Sequence, residues 1–416
     1  MNQIKSPATA SQKQNTTDKE DGWREFFKKN LQGDAIIWGI AIVLCMISIL
    51  VVYSATGTLA YRKADGNTEY YLLKHTFLVI LALLSMYVCH RIDYIYYSKL
   101  SRYALLASVP LLIFTWQFGA TINEASRWLT IPFINYSFQP SDLAKLALVT
   151  NLASMLSKRQ NNIEEFQRAI QPMLIWAGII CGLIGLTNLS TAILLFATCM
   201  LLLFIGRVPI RYIGMLVLIG VIAGMFALAF GQRASTGASR LRSWIDESEI
   251  PFQAEQSYIA VATGGLTGVG AGGSIQRNFL PNPYSDFIFA IIIEEYGLIG
   301  GVIIILLYLV LLYRGMLVVA HSRRSFGSLL AAGLTFSIVV QALVNMCVVV
   351  GLLPITGQPL PLLSMGGTSL IFSGMSLGII LSVSRSEQKN LPPDFQNRFS
   401  PNRLTFENKI KPWKKF

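Results

Sequence analysis

The stretch Leu280–Gly301, LPNPYSDFIFAIIIEEYGLIGG, decides the fold class of this protein. A polar, proline-broken segment meets an apolar run here, and Asp286 lies at the junction. A carboxylate at the start of a bilayer-like run is costly unless it faces water, a partner or a substrate. Asp286 could instead cap the helix by accepting hydrogen bonds from its first N–H groups. Both interpretations stay open at this point.

The composition indicates a membrane protein. Hydrophobic residues make up 53% of the chain and charged residues only 13%, whereas a soluble globular protein is about one quarter charged. The apolar runs are about 20 residues long and do not alternate with polar residues, which is typical of membrane-spanning helices and not of a barrel. The predicted fold class is therefore an all-α polytopic membrane protein.

The apolar runs predict about ten transmembrane helices, with ends uncertain by a few residues. A large extracytoplasmic loop, 231–285, is predicted between spans seven and eight. The predicted spans are Ala35–Ala55, Leu72–His90, Tyr103–Phe118, Asp142–Leu156, Pro172–Leu186, Leu189–Ile205, Tyr212–Phe230, Asp286–Leu312, Leu329–Val350 and Leu363–Val383.

The formal charge of +12 is carried largely by short loops on one side of these spans. This distribution follows the positive-inside rule and argues against a nucleic-acid partner. It places both termini in the cytoplasm. The predicted organisation is a cytoplasmic N-terminal tail at 1–33, a membrane domain at 34–385 and a basic cytoplasmic tail at 386–416 that can contact anionic lipid.

Outward-facing polar segments carry the candidate chemistry. In NEASRWL (123–129), Arg127 and Trp128 suit an anionic group at the interface, although both residue types also anchor ordinary interfaces. In FQPSDLAKLAL (138–148), Asp142 and Lys145 are three residues apart and share one helical face. They are functional candidates, or an internal ion pair that fixes packing.

Glycine and proline mark two further segments. The large loop carries Arg240 near its start and becomes glycine-dense at Gly264–Gly273, which predicts a flexible hinge or a close approach to a ligand. Gly351–Leu370, GLLPITGQPLPLLSMGGTSL, breaks the helix between spans nine and ten, and such backbone is tolerated where it lines a cavity. Together the segments predict an outward cavity for a lipid-linked anionic substrate, with arginine for phosphate and a carboxylate for general-base catalysis.

Several motifs occur in one order: VVYSAT, ASRW followed by QPSDLAKLAL, NLSTA, SRLRSWID, FQAEQSYIA, GGLTGVGAG, LPNPYSDFIFAIIIEEYGLIG and GLLPITGQPLPLLSMGGTS. In these motifs, residues 34–385 resemble the SEDS family (shape, elongation, division and sporulation proteins) of polytopic glycosyltransferases. The resemblance implies that the protein polymerises lipid II into glycan strands outside the cytoplasmic membrane. It also implies a class B penicillin-binding protein as transpeptidase partner, and Asp286 as the catalytic residue.

Some positions depart from the family pattern. Asp142 stands where the family usually has glutamate, and Asn188 stands where it usually has aspartate. Either Asn188 keeps a hydrogen bond without the charge, or that position is not essential here. The usual tyrosine of SYGG is Met365, and NEASRW has lost a glycine. The long N-terminal tail favours a division-type FtsW over an elongation-type RodA.

The resulting hypothesis is an inverting glycosyl transfer in the inner membrane at the division septum, with lipid II, other divisome proteins and membrane lipid as further partners. No cofactor is certain, and a divalent cation, Mg²⁺ or Mn²⁺, is a candidate; no metal ligands are assigned. Asp286 is the predicted base. The residues predicted to bind substrate are Arg127, Trp128, Gln139, Ser141, Asp142, Lys145, Arg240, Gln256, Ser257, Thr368 and Ser369.

Two other functions use the same features. A lipid II flippase would need the polar path to continue to the cytoplasmic side, where the ends of the spans are apolar. A non-catalytic divisome scaffold that activates a penicillin-binding protein would tolerate replacement of Asp286.

Overall fold

The computed structural model describes residues 30–57, 59, 61, 67–122, 125–131, 136–230, 239, 240, 242–244 and 250–389. The predictions for residues 1–29 of the N-terminal tail, for 390–416 of the basic C-terminal tail and for 231–238, 241 and 245–249 of the large loop lie outside these residues. The helices are α1 Ala35–Ala55, α2 Thr68–Arg91, α3 Tyr94–Phe118, α4 Pro140–Lys158, α5 Gln171–Thr187, α6 Leu189–Ile205, α7 Ile210–Phe230, α8 Phe252–Gly264, α9 Ile288–His321, α10 Ser325–Val349 and α11 Thr368–Lys389.

The fold class is the predicted all-α polytopic one. Each predicted span coincides with a helix, and α8 lies in the predicted large loop. Six of the described helices are long and apolar enough to cross a membrane. The number of crossings and the side on which the large loop lies stay predictions.

Local sequence explains where several helices begin. The side chains of Asp34, Asn67 and Asp93 precede α1, α2 and α3 and accept hydrogen bonds from their first turns. Pro140 opens α4, where its missing N–H costs nothing. The helix α3 begins well before the predicted Tyr103, because its first turns bury polar residues such as Tyr97 that lower the hydropathy of the run.

Small residues bring the helices close together. The helix α11 packs along α2. A Cβ atom at Gly374 would lie 2.4 Å from the carbonyl oxygen of Ala82, and one at Gly378 would lie 2.3 Å from that of Met86. Close contact through glycine is a common way for membrane helices to associate, because lipid offers no hydrophobic drive between them. In the same bundle α10 packs against α4, α6, α9 and α11.

The loop after α3 contains a small antiparallel sheet that the sequence analysis did not predict. Strands β1 Ala120–Ile122, β2 Ala125–Ile131 and β3 Tyr136–Phe138 pair in the order β1-β2-β3. In β2 and β3, Leu129 pairs with Phe138. The sheet therefore leads directly into Gln139 and α4, and it places Trp128 beside the start of that helix.

The long helix α9 is interrupted at Gly297, whose φ of 69° and ψ of −173° are not helical. The segment 264–270, which we call the inserted segment, docks against the interruption. Backbone hydrogen bonds join the two in both directions: Val269 and Gly270 donate to the carbonyls of Glu294 and Glu295, and Leu298 and Ile299 donate to the carbonyls of Gly265 and Leu266.

Glycine is required where the inserted segment crosses α9. A Cβ atom at Gly264 would lie 2.1 Å from the Ile293 carbonyl oxygen, and one at Gly268 would lie 2.2 Å from that of Glu295. A Cβ atom at Gly297 would lie 2.2 Å from the carbonyl oxygen of Leu266. The glycine-dense segment was predicted to be a flexible hinge or to approach a ligand closely. In the structure it approaches helix α9 of the same chain.

The side chain of Glu294 supports the same junction. It is 1% exposed and accepts hydrogen bonds from the Ser274 hydroxyl and from the N–H groups of Ile275 and Gln276 at 3.0 and 3.2 Å. Glu294 thus supports the start of the short turn Gln276–Asn278. The first half of α9, which follows Asp286, is held at its far end by the large loop.

Candidate functional site

The candidate site is organised by residues Gly351–Gly367, which we call the hub segment. It connects α10 to α11, and its prolines and glycines prevent a continuous helix. Five side chains from the four helices α1, α6, α9 and α10 form hydrogen bonds with its backbone carbonyls or side chains, including Tyr308 of α9, which donates to the Pro361 carbonyl. Irregular backbone at membrane depth needs such partners, because lipid supplies none.

Asp286 lies against this hub segment, half-buried, two residues before α9. Its Oδ1 accepts a hydrogen bond from the Ser285 hydroxyl at 2.9 Å. A Cβ atom at Gly357 would lie 3.5 Å from Oδ2, so the glycine leaves space beside the carboxylate. The N-cap position of α9 is Phe287 and makes no side-chain capping bond. Helix capping therefore does not explain Asp286.

The surroundings of Asp286 hold its backbone in place. The Asn345 amide nitrogen donates to the carbonyl oxygen of Asp286 at 2.8 Å and to that of Gln358 at 2.7 Å. Burial, the neighbouring Tyr71 and the charge of Asp286 raise the pKa of Tyr284 above its usual 10.0. The phenol of Tyr284 is consequently protonated at neutral pH and serves as a hydrogen-bonding group.

The predicted ion pair between Asp142 and Lys145 is formed. Lys145 Nζ lies 2.9 Å from Asp142 Oδ1, and their side chains are 16% and 3% exposed. The Thr368 hydroxyl lies 3.5 Å from Asp142 Oδ2, and Lys145 Nζ lies 3.5 Å from Gln341 Oε1. The pair thus connects α4 with α10 and α11, and it also borders a cavity.

Two adjoining cavities extend from this ion pair into the bundle. One lies between α4, α10 and α11, and the other reaches Thr191 and Gln358. Both are bordered by Lys145, Ser337 and Gln341. Among the described lining residues, Lys145 is paired with Asp142 and the other polar groups are hydroxyls and amides, which suits a polyhydroxylated ligand. Ser369 of the predicted set borders the larger cavity, with Ser373 and Ser376 farther along α11.

The small sheet brings further predicted residues to the hub segment. The ring of Trp128 lies against Gly367, where a Cβ atom would be 3.9 Å from it. The Gln139 N–H donates to the Thr368 hydroxyl at 3.3 Å, and the Gln139 amide donates to Ser141 at 2.8 Å. Arg127 lies in β2, but its side chain is outside the described part of the structure.

The large loop contributes less directly. Arg240 Nη1 donates to the Ile355 carbonyl oxygen of the hub segment at 3.4 Å. Ser257 of α8 is 0% exposed, and its hydroxyl donates to the Val349 carbonyl oxygen at 2.9 Å. Gln256 is half-buried beside it. The structure therefore directs Ser257 to α10 and does not place it in either cavity.

Sequence reasoning missed Gln341 and Asn345, which are four residues apart on α10. Gln341 joins Lys145 to the Pro359 carbonyl, and Asn345 joins Asp286 to Gln358. The available signal was a pair of amides in an otherwise apolar helix, since polar side chains within a membrane span are often functional.

Asn188 accepts a hydrogen bond from the Thr191 N–H at 3.3 Å at the start of α6. Asn188 thus keeps a hydrogen bond without the charge. Within the described residues, no three His, Cys, Asp or Glu side chains group closely enough to hold a metal ion. The protein side chains there do not form a cage for Mg²⁺ or Mn²⁺.

Comparison with known proteins agrees with this architecture. The chain is 34% identical over 358 residues to a probable peptidoglycan glycosyltransferase FtsW of Geobacter sp. (strain M18), covering 84% of this chain and 96% of that protein. It is also 34% identical over 366 residues to the stage V sporulation protein E of Bacillus subtilis (strain 168), covering 86% and 98%.

Solved structures share the fold. One chain, from work described as "Structural coordination of polymerization and crosslinking by a peptidoglycan synthase complex", aligns with a TM-score of 0.64 at 25% identity, covering 84% of this chain and 98% of that one. Thermus thermophilus RodA aligns with a TM-score of 0.60 at 23% identity, covering 84% and 97%. The model of the cell cycle protein family FTSW_RODA_SPOVE matches residues 34–389. The protein is thus a member of the FtsW/RodA/SpoVE family and a polytopic protein of the cytoplasmic membrane.

Proposed function

We propose that this protein is a peptidoglycan glycosyltransferase that polymerises lipid II at the outer face of the cytoplasmic membrane. The observation that carries the proposal is the Asp286 carboxylate, half-buried beside the hub segment. Ser285 orients one of its oxygens, and Gly357 leaves space beside the other. The relatives named as probable peptidoglycan glycosyltransferases supply the substrate class.

Asp286 acts as the general base in this proposal. It takes the proton from a sugar hydroxyl of the acceptor lipid II as that oxygen bonds to the anomeric carbon of the growing strand. The bond from the anomeric carbon to the pyrophosphate oxygen breaks, and undecaprenyl pyrophosphate leaves with the bonding electrons. A positioned base of this kind contributes roughly 10²–10⁴-fold to a reaction rate. The configuration at the anomeric carbon is inverted.

The leaving pyrophosphate requires positive charge. Lys145 supplies a cation at the cavity wall, and its bond to Asp142 holds the ammonium in place. Arg240 approaches the hub segment from the large loop, and Arg127 is the third candidate. Fixed cations stabilise developing anionic charge because they do not have to reorganise during the reaction. A divalent cation would add positive charge at the pyrophosphate.

Sugar orientation is proposed for polar residues at or near the larger cavity. Ser369 borders the larger cavity, and Thr368 and Gln139 are hydrogen-bonded to each other beside it. Trp128 would offer its ring face to a sugar, with Ser141 and Gln256 at the edges. Ser257 has a different role in this proposal, because its hydroxyl already binds the Val349 carbonyl and holds α8 against α10.

The cellular setting is also a proposal. A structural relative belongs to a complex that coordinates polymerization and crosslinking, which supports a crosslinking partner, namely a class B penicillin-binding protein. We place the protein at the division septum with both termini in the cytoplasm, because several relatives carry the FtsW name and the basic loops alternate along the chain.

The test uses purified protein, with and without a class B penicillin-binding protein, and fluorescent lipid II in detergent micelles. The products are separated by length on a gel. Wild type is expected to form a glycan ladder, and Asp286→Asn is expected to lose it at least 100-fold. Asp93→Asn is the matched control, because it makes the same change at a half-buried aspartate at the start of α3 and asparagine preserves the helix cap.

A ladder from Asp286→Asn equal to that of wild type would refute the base assignment but keep the polymerase, and the base would then be sought at Asp142 or at the glutamates of α9. No ladder from any sample, with labelled lipid II crossing the bilayer of liposomes, would replace polymerisation by transport.

A further inference from the structure

The hub segment contains a backbone conformation that is uncommon for its residue. Leu362 has a φ of 64°, and with Arg207 it is one of the described non-glycine residues at positive φ. The side chain of Leu362 is 2% exposed. An L-residue in the left-handed region is strained, because its Cβ atom approaches the following carbonyl. Such a conformation persists only where the surrounding structure holds it.

Side chains from two other helices hold the peptides on either side of Leu362. Tyr308 of α9 donates to the carbonyl of Pro361. Ser48 of α1 donates to the carbonyl oxygen of Leu363 at 2.7 Å. Both bonds are made to peptides that flank Leu362, so they favour the turned conformation of the chain over a relaxed one.

His75 of α2 completes the support on the Leu363 side. Its Nε2 lies 2.8 Å from the Ser48 hydroxyl oxygen, and both side chains are 0% exposed. Ser48 has one proton to donate and gives it to Leu363, so the hydrogen-bond network assigns the imidazole proton to Nε2. His75 Nδ1 has no hydrogen-bond partner within the described residues. A second proton there would be a buried donor without an acceptor, which disfavours the charged ring.

The turn at Leu362 is connected to Asp286 by consecutive contacts. The hydroxyl of Ser364 donates to the Ser285 carbonyl oxygen at 2.6 Å, and the Met365 N–H donates to the Tyr284 carbonyl oxygen at 2.9 Å. The Ser285 hydroxyl then donates to Asp286 Oδ1 at 2.9 Å. The residues just before Asp286, Tyr284 and Ser285, are thus hydrogen-bonded to Ser364 and Met365, which follow the strained turn.

We propose that Ser48 and His75 are positioning residues for Asp286: they hold the left-handed turn at Leu362 and thereby fix the peptide that presents the carboxylate. This inference rests on the proposed function. Both residues lie on the first two helices, about 210 or more positions before Asp286 in the chain, and neither contacts the cavity that would hold the substrate. Their loss displaces the base without removing a substrate contact.

Ser48→Ala is expected to lower kcat for lipid II about tenfold, which corresponds to ~1.4 kcal/mol, with KM unchanged. His75→Leu should have the same effect, because the Ser48 oxygen then lacks its donor. His75→Gln should retain most of the activity, since its amide nitrogen can donate from the same position. Ser108→Ala is the matched control, because Ser108 is also 0% exposed and its hydroxyl bonds only to Leu105 of its own helix.

Leu362→Gly distinguishes positioning from general damage to the fold. Glycine adopts positive φ without strain, so the turn no longer needs to be held. Leu362→Gly also removes a buried side chain, which can lower activity by itself. The double variant is therefore compared with Leu362→Gly and not with wild type. In that background, Ser48→Ala is expected to cause less than a twofold further change in kcat.

The outcomes separate the two proposals. If wild type forms no glycan, both the function and this inference are overturned. If wild type is active and Ser48→Ala matches Ser108→Ala, only the positioning role fails. A full tenfold loss from Ser48→Ala in the Leu362→Gly background would also overturn it.

Discussion

Two glycines of the large loop offer a controlled test of the interrupted helix. Gly268 and Gly270 are two residues apart and have φ values of +82° and +98°. A Cβ atom at Gly268 would lie 2.2 Å from the Glu295 carbonyl oxygen and 2.5 Å from the Gly297 nitrogen, whereas one at Gly270 would have nothing within 4 Å. The change to alanine is therefore chemically the same at both positions and differs only in the contact with α9.

The size of the difference follows from these contacts. Alanine at positive φ costs about 1–2 kcal/mol at either position, so this strain cancels in the comparison. At Gly268 the methyl group must also push the inserted segment away from α9. This breaks the bonds from Val269 and Gly270 to the carbonyls of Glu294 and Glu295, which are 2.9 and 3.0 Å long. A buried carbonyl left unpaired costs about 1–3 kcal/mol, so Gly268→Ala should lose at least about 2 kcal/mol more than Gly270→Ala.

Thermal unfolding of the two variants in the same detergent, followed by tryptophan fluorescence, measures this difference. Gly268→Ala should have a clearly lower Tm than Gly270→Ala, whose Tm is lowered only by the strain of alanine at positive φ. We also expect Gly268→Ala to reduce glycan synthesis, because the half-helix that follows Asp286 loses its anchor. Equal Tm values for the two variants would refute the packing argument.

Two further changes test the site. Asp142→Asn removes the ion-pair partner of Lys145, whose side chain is 16% exposed, and should cost up to about 3 kcal/mol in the free energy of unfolding. The double variant with Lys145→Gln should recover most of that stability but not glycan synthesis, and a double variant no more stable than the single one would contradict the ion-pair argument. Gly357→Ala places a methyl group 3.5 Å from Asp286 Oδ2 at a φ of +64°. It should cost about 1–2 kcal/mol in stability and lower kcat in the lipid II assay, and unchanged kcat would show that the space beside Asp286 is not used.

Much of the helical architecture was predictable because the transfer of an apolar segment into lipid depends on the segment's own composition. The predicted spans Ala35–Ala55 and Leu189–Ile205 agree residue for residue with α1 and α6. The contact between Asp142 and Lys145 was also predictable, because residues three apart on a helix are neighbours. The start of α3 was misplaced, since its first turns are rich in polar residues, of which only some, such as Tyr94 and Tyr97, are buried.

The sequence alone could select residues of the candidate site, but it could not show which hydrogen-bond partners they have. The carboxylate at the boundary of an apolar run identified Asp286, and proline and glycine identified the hub segment. From the sequence, the Ser257 hydroxyl was predicted to bind a sugar. In the structure it donates to the carbonyl oxygen of Val349, 92 residues away. Whether a hydroxyl is free or occupied depends on what packs against it, and no local pattern contains that information.

The sequence by itself determined the membrane class, the helical segments, the carboxylate at the lipid boundary and the local ion pair, because each depends on residues within a few turns of one another. Only the tertiary structure decided that α9 breaks at Gly297 around the inserted segment. It alone decided that Leu362 adopts a left-handed conformation held by Ser48, 315 residues from Leu363. Such features depend on contacts between segments that are far apart in the chain. Those contacts determine where glycine is required, which hydroxyls are hydrogen-bonded and where a strained residue is tolerated.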